Sequence, residues 1–264
     1  MLREPAVAGR FYPGNPSRLA AELDGFLQPA AEPGSAKGLV APHAGYMYSG
    51  AVAGDVYRRV EIPPRVVILG PNHTGLGAPA SLWPGGSWRT PLGDVPIDAA
   101  LTEALARAPG VELDDEAHLH EHSLEVQVPF LQRRQPALSL AAICLGPLSW
   151  KACEALGKAL GAAATAAGAL IVASSDMSHY IPAAEAREKD QLAIDRILAL
   201  DPAGLYEVVR REQLSMCGFI PATVMLVAAR EMGATRGELV RYGHSGEVTG
   251  DDTQVVGYAA IRVW

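Results

Sequence analysis

The chain carries seven histidines and three cysteines, and their neighbours already sort them by chemistry. Three histidines follow short apolar runs. Pro42-His43-Ala44-Gly45-Tyr46 comes after Gly38-Leu39-Val40-Ala41, and Pro71-Asn72-His73-Thr74-Gly75 after Arg65-Val66-Val67-Ile68-Leu69-Gly70. Ser174-Ser175-Asp176-Met177-Ser178-His179 comes after Ala169 to Ala173. Neutral imidazole ligates transition metals and moves protons near neutral pH. Cys217 lies in Ser215-Met216-Cys217-Gly218-Phe219-Ile220-Pro221, where a helix is expected to begin. The positive end of a helix favours thiolate, the form that ligates metal or attacks substrate. Cys144 and Cys153 sit in an apolar run and an alanine-rich helical stretch, and read as small core residues.

His43, His73 and Cys217 together make a plausible ligand set for Zn, Fe or Cu. Such distant positions fit no zinc finger, so the fold would have to assemble the site. Asp176 and His179 could orient the ligands or act as acid and base beside the metal. The run His118-Leu119-His120-Glu121-His122-Ser123-Leu124-Glu125 reads first as a polar loop entering a helix, and His118 and His120 are assigned to that loop. His122 adjoins the helix signal Ser123-Leu124-Glu125-Val126, where a rigid element could aim it into the pocket.

These residues need a frame, and helix and strand signals alternate throughout. Strands are expected at 38–41, 65–70, 138–145, 169–173 and 255–263. Helices are expected after Asn15-Pro16 and Asp98, over 150–167, after Asp201-Pro202 and over 219–231. Continuous apolar runs suggest strands covered on both faces. The predicted fold is therefore α/β, an αβα sandwich with a mostly parallel or mixed sheet, forming one domain over 1–264. In such sheets ligands bind beyond the carboxyl ends of the strands, where all three histidine-bearing turns would fall. The stretch from Pro71 to Pro96, rich in Gly, Pro and Trp, is expected to be a long loop or a small β excursion.

Composition excludes several classes. A formal charge of −7 without a basic run argues against nucleic acid. The alanine-rich stretch near 159–173 is too short and too interrupted for a membrane span. Three cysteines without a C-x-x-C pair, behind an N-terminus unlike a secretory signal, lead us to expect the cytoplasm. Gly75-Leu76-Gly77-Ala78-Pro79-Ala80 has the letters of a dinucleotide fingerprint but opens no helix after a strand. Glu247 stands where a nucleophile elbow around Ser245 needs glycine, His120-Glu121-His122-Ser123-Leu124 lacks the second zincin histidine, and no P-loop lysine motif occurs.

Taken together, the segments resemble the Memo family, or AmmeMemoRadiSam system protein B. The matching stretches are Ala8 to Pro13, Pro42 to Tyr46, Gly70 to His73, Glu121 to Glu125, Ser174 to His179, Cys217-Gly218, Ser245 to Asp251 and Val256 to Tyr258. The resemblance implies the fold of LigB-like class III extradiol dioxygenases, which hold non-haem iron on two histidines and a glutamate. His43 and His73 correspond to the two histidines. Cys217 takes the third place, a departure that keeps a competent ligand. His122, Asp176 and His179 match further polar positions of that pocket.

One implied function is a metal-dependent oxidoreductase with Fe(II), or Cu or Zn, in a His/His/Cys site. The alternative is a binding or adaptor module taking a small molecule or peptide in the same pocket. Either would act with radical-SAM and AMMECR1-type partners, and with neither nucleic acid nor membrane. A metal-independent hydrolase using Cys217 with His179 is a third, weaker reading.

Overall fold

The computed structural model describes residues 1–29 and 31–264. Its main sheet has nine strands. In spatial order these are His179–Ile181, Val255–Val263, Gly38–Ala41, Leu170–Ser174, Arg65–Pro71, Ser139–Leu145, Ala80–Leu82 and Glu112–Leu113, with Gly237–His244 also paired to Val255–Val263. The four strands from Gly38–Ala41 to Ser139–Leu145 are mutually parallel. Val255–Val263 runs antiparallel to Gly38–Ala41, and Ala80–Leu82 antiparallel to Ser139–Leu145. The sheet is mixed around a parallel centre, as expected.

Alternation along the strands explains the apolar runs. Val67 and Leu69 enter one core with the helices Trp150–Ala167, Ala183–Leu198, Pro202–Arg211 and Phe219–Glu231. Val66 and Ile68 enter the other, with Pro16–Phe26, Tyr46–Arg58 and Val128–Arg134. Both faces are covered, so the central strands are mostly apolar on each side. Phe219–Glu231 shows the result most clearly, since ten consecutive residues from Ile220 to Ala229 are buried.

Local signals set most helix starts. The Asn15 side chain accepts from Arg18 N at 3.0 Å ahead of Pro16, and Asp98 accepts from Leu101 N at 2.9 Å. Ser149 opens Trp150–Ala167, and Gly168, with φ +63°, closes it in the left-handed conformation. The 71–96 region is a β excursion: Ala80–Leu82 joins the main sheet, while Ser87–Thr90 and Gly93–Pro96 form a small sheet with Leu2–Arg3. Among the described residues no helix is long and apolar enough to cross a membrane.

Among helices of eight residues or more, Tyr46–Arg58 and Ala183–Leu198 had no counterpart in the sequence expectations. In the first, Gly50 and Gly54 lower helix propensity, but a Cβ at either would collide with Phe26, so packing overrides propensity. In the second, the inner face at 186, 190, 193, 194 and 197 is helical in spacing but interrupted by the buried Asp190.

His118 is fully buried between Trp83 and Trp88, its Nε2 donating to Ser81 O at 2.9 Å. Burial, the largest cause, pulls its pKa from 6.5 down to about 4. The unfolded chain therefore binds this proton first as pH falls. The stability tied to the neutral ring is complete above 6.5 and is lost on the way down through about 4. Denaturant titrations across that window should show a loss approaching about 3 kcal/mol that His118→Gln removes. An unchanged slope in the variant would contradict this assignment.

Candidate metal centre

The three adjacent parallel strands Gly38–Ala41, Leu170–Ser174 and Arg65–Pro71 release their chains at one edge of the sheet. His43 leaves the first, and Asp176 Oδ1 holds its turn by accepting His43 N at 2.7 Å and Ala44 N at 3.3 Å. His73 leaves the third and Asp176 the second. Cys217 approaches from the segment before Phe219–Glu231. Gly218 permits this close approach, because a Cβ there would overlap Ser174 and Ser175, and its N–H donates to Ser175 Oγ at 3.0 Å.

Ligand-capable atoms of His43, His73 and Cys217 all lie within 4.8 Å of one another. Cys217 Sγ is 3.3 Å from His43 Nε2. Neighbouring donors around an ion with bonds of ~2.0–2.3 Å sit at a comparable spacing, so the set fits a borderline divalent transition metal.

Hydrogen bonds assign both imidazole tautomers. Ser174 Oγ donates its one proton to Ser123 O at 2.6 Å and accepts from Gln127 Nε2 at 2.7 Å. Its contact with His43 Nδ1 at 2.9 Å must then be N–H donating to oxygen, which leaves His43 Nε2 as a bare lone pair facing the sulfur. Glu121 does the same for His73. Its Oε1 accepts His73 Nδ1 at 2.9 Å and its Oε2 accepts His73 N at 2.6 Å. This is the carboxylate–histidine support found behind metal-binding imidazoles.

Burial and charge favour the neutral forms of His43, His122 and Cys217. Burial, then the surrounding His122, His73 and His179, holds His43 well below the usual histidine range. His122 is also lowered, mainly by burial. Burial works against ionisation of Glu121, but the His73 bond and charge with the Ser123 N–H bring its pKa down to about 2. Burial raises Asp176 to about 6. Burial and the Asp176 charge push the Cys217 thiol up.

This last point corrects a sequence expectation. Burial and the facing Asp176 carboxyl raise the Cys217 thiol despite its place before a helix, so the thiol form is favoured without a metal. Metal binding would have to displace the proton.

Five of the six residues proposed from sequence, His43, His73, His122, Asp176 and His179, line one cavity of about 540 Å³ with aromatic residues including Phe11, Tyr48, Tyr180 and Tyr258, and Cys217 sits behind His43 rather than on that lining. The His122 ring stacks on His73, with centroids 4.6 Å apart, and its Nδ1 is 3.3 Å from Glu121 Oε1. His73, Glu121 and His122 form a second cluster with donor atoms within 4.8 Å. His179 stands outside both clusters, its Nδ1 donating to Ser215 O at 3.0 Å and its backbone N to Ser215 Oγ at 2.8 Å. His118, assigned to a polar loop from sequence, instead lies in the helix Glu116–Leu119 and is fully buried, whereas His120 is exposed; neither lines the cavity.

Sequence reasoning passed over Glu121, Ser174 and Gln127 as supports. Glu121 was legible only as the lone acid inside a histidine run. Ser174 and Gln127 carried no signal, since their work depends on distances across the fold.

The chain matches the Memo-like protein family over residues 3–262. It belongs to the Memo-like family. A MEMO1 family protein of Aquifex aeolicus is 46% identical over 264 residues, covering 98% of each chain. A MEMO1 family protein of Methanopyrus kandleri is 43% identical over 278 residues, covering 99% of this chain and 98% of the relative. An uncharacterized protein of Escherichia coli K12 shares the fold alone, with a TM-score of 0.53 at 15% identity, covering 85% of this chain and 98% of that one.

Burial also raises Cys144, and raises Cys153 to about 11. In metal-free protein at neutral pH, iodoacetamide should therefore leave all three thiols unmodified over an interval that labels all three in denatured chain, as read by intact mass. Rapid labelling of Cys217 would show a standing thiolate and break the electrostatic account.

Proposed function

We propose that this Memo-like protein is a metal-dependent oxidoreductase that holds Fe(II) on His43, His73 and Cys217 and takes a small molecule into the cavity. The observation that carries this reading is the prepared donor set: two imidazoles with Nε2 bared by assigned tautomers, beside a thiol 3.3 Å from one of them. When bound, a redox-active ion would supply electron transfer and open positions for O2 or substrate. Glu121 and Ser174 keep the two imidazoles aimed.

His122 can move protons from the cavity wall, with Glu121 beside its Nδ1 to stabilise the charged ring. Asp176, with its carboxyl raised to about 6, can hold or release a proton near neutral pH. His179 donates from Nδ1 to Ser215, so its Nε2 is the basic nitrogen. The free cysteines suit a reducing compartment, and the cytoplasm is the proposed location. On family resemblance, radical-SAM and AMMECR1-type proteins are the proposed partners.

A second reading, a binding module without turnover, is favoured by Tyr180. This residue is 71% exposed at the cavity, with φ +59°, a conformation costly for a tyrosine. Strain of that kind often accompanies ligand contact.

Protein purified anaerobically without an affinity metal should carry close to one iron per chain by elemental analysis. The His43→Ala, His73→Ala double variant should carry almost none, and Cys217→Ser much less than the parent. Oxygen electrode traces with catechol and other reductants then separate the readings. No uptake of any transition metal would end the oxidoreductase proposal. Iron with a flat oxygen trace, alongside tight peptide binding, would favour the binding module.

A further inference from the structure

Arg3 lies outside the cavity and 40 residues before the first ligand, yet it is 1% exposed and fully engaged. Its Nε donates to His118 O at 2.8 Å, its Nη2 to Glu121 O at 2.6 Å and its Nη1 to Glu125 Oε2 at 2.7 Å. The guanidinium carbon stands 4.3 Å from the Trp88 ring centre. One planar group thus ties three points of the 118–125 segment, and that segment carries Glu121 and His122.

Glu125, also 1% exposed, returns the grip to the N-terminal chain. It accepts from Ala6 N at 2.7 Å, Val7 N at 3.0 Å and Tyr12 Oη at 2.6 Å. The same stretch brings the Phe11 ring to 4.8 Å from the His122 ring. Phe11 O accepts from Tyr46 N at 2.7 Å, three residues beyond His43.

We propose that Arg3 is a positioning residue of the metal centre, its guanidinium fixing the 118–125 segment so that Glu121 aims His73 and His122 meets the cavity. This rests on the metal-site reading above. A lysine could not replace it in full, because an ammonium on a flexible stem lacks the planar fork that reaches two carbonyls and a carboxylate together. The position acts through Glu121, so its loss should resemble loss of an outer support of a ligand rather than loss of a ligand.

Co2+ is the probe, since its absorption reports both thiolate ligation and coordination geometry. Arg3→Met should weaken Co2+ binding roughly 10- to 100-fold and alter the ligand-field bands, while the sulfur-to-cobalt band persists. Arg3→Lys should fall between Arg3→Met and the parent, and serves if Arg3→Met does not fold. Leu160→Ala, in the core on the opposite face of the sheet, lowers stability without touching this network. It should leave Co2+ affinity unchanged.

A metal-free measurement runs beside these titrations, the C2-hydrogen exchange of each histidine read by mass spectrometry. In the Arg3 variants, rates at His73 and His122 should change while that at His179 does not. If the parent binds no Co2+, the metal reading falls and the exchange rates still decide whether Arg3 positions these rings. Folded Arg3 variants with parental Co2+ affinity and parental exchange at His73 and His122 would overturn the proposal. So would an equal loss of affinity in Leu160→Ala.

Discussion

The hydroxyl of Ser174 has one proton and two lone pairs, and all three are committed. The proton goes to Ser123 O, and the lone pairs receive Gln127 Nε2 and His43 Nδ1. Because the group is buried, none of these bonds can be exchanged for water, and an unmade one would cost on the order of 1–3 kcal/mol. The tautomer of His43 follows from that accounting, and with it the lone pair facing Cys217. Ser123 is itself tied to Pro71 O and to Glu121 Oε1, so the same hub reaches the support of His73. Two imidazoles from different strands are thus set by one connected network, which aims them more closely than separate contacts could.

The electrostatics of the pocket run in one direction. His43, His122 and Cys217 are each pushed toward the neutral form, whereas Glu121 is held ionised by its bonds. Neutral imidazole is the ligating form, so lowering His43 prepares it. Raising the thiol does the opposite, since thiolate is the ligating form. A divalent ion held there would offset that mismatch, because its charge would stabilise the desolvated thiolate and relieve its repulsion with Asp176.

Much of this was legible in the residues. The strands were readable because a sheet buried on both faces leaves unbroken apolar runs such as Val66 to Leu69. Three histidines beyond three such runs already implied convergence, since parallel strands share one carboxyl edge. The limits are equally physical. Tyr46–Arg58 hid behind Gly50 and Gly54, which answer to Phe26 from another helix rather than to helix propensity. Ser174, Gln127 and Arg3 gave no usable sign, because serine, glutamine and a near-terminal arginine are ordinary surface residues until the fold buries them. The expected thiolate at Cys217 failed for a related reason. A helix terminus is visible in sequence, whereas burial and the nearness of Asp176 are properties of the folded chain.

The buried pair Arg3–Glu125 raises the question of why a charge lies inside a core at all. Deleting one partner of such a pair typically costs about 3–5 kcal/mol, yet replacing both by well-packed apolar groups is often neutral or better. Net stability is therefore a poor reason for its presence. What apolar packing cannot reproduce is direction. The guanidinium meets two carbonyls and a carboxylate at angles set by its plane, and the carboxylate meets two backbone N–H groups and a phenol. Oil-like contacts would let the 118–125 segment slide by fractions of an ångström with little change in energy. Charge-assisted hydrogen bonds do not, because they are short and directional. A segment that carries the support of one ligand and the ring stacked on it is where such intolerance is useful. The desolvation cost of Arg3 and Glu125 is thus best understood as the cost of holding Glu121 and His122 in place.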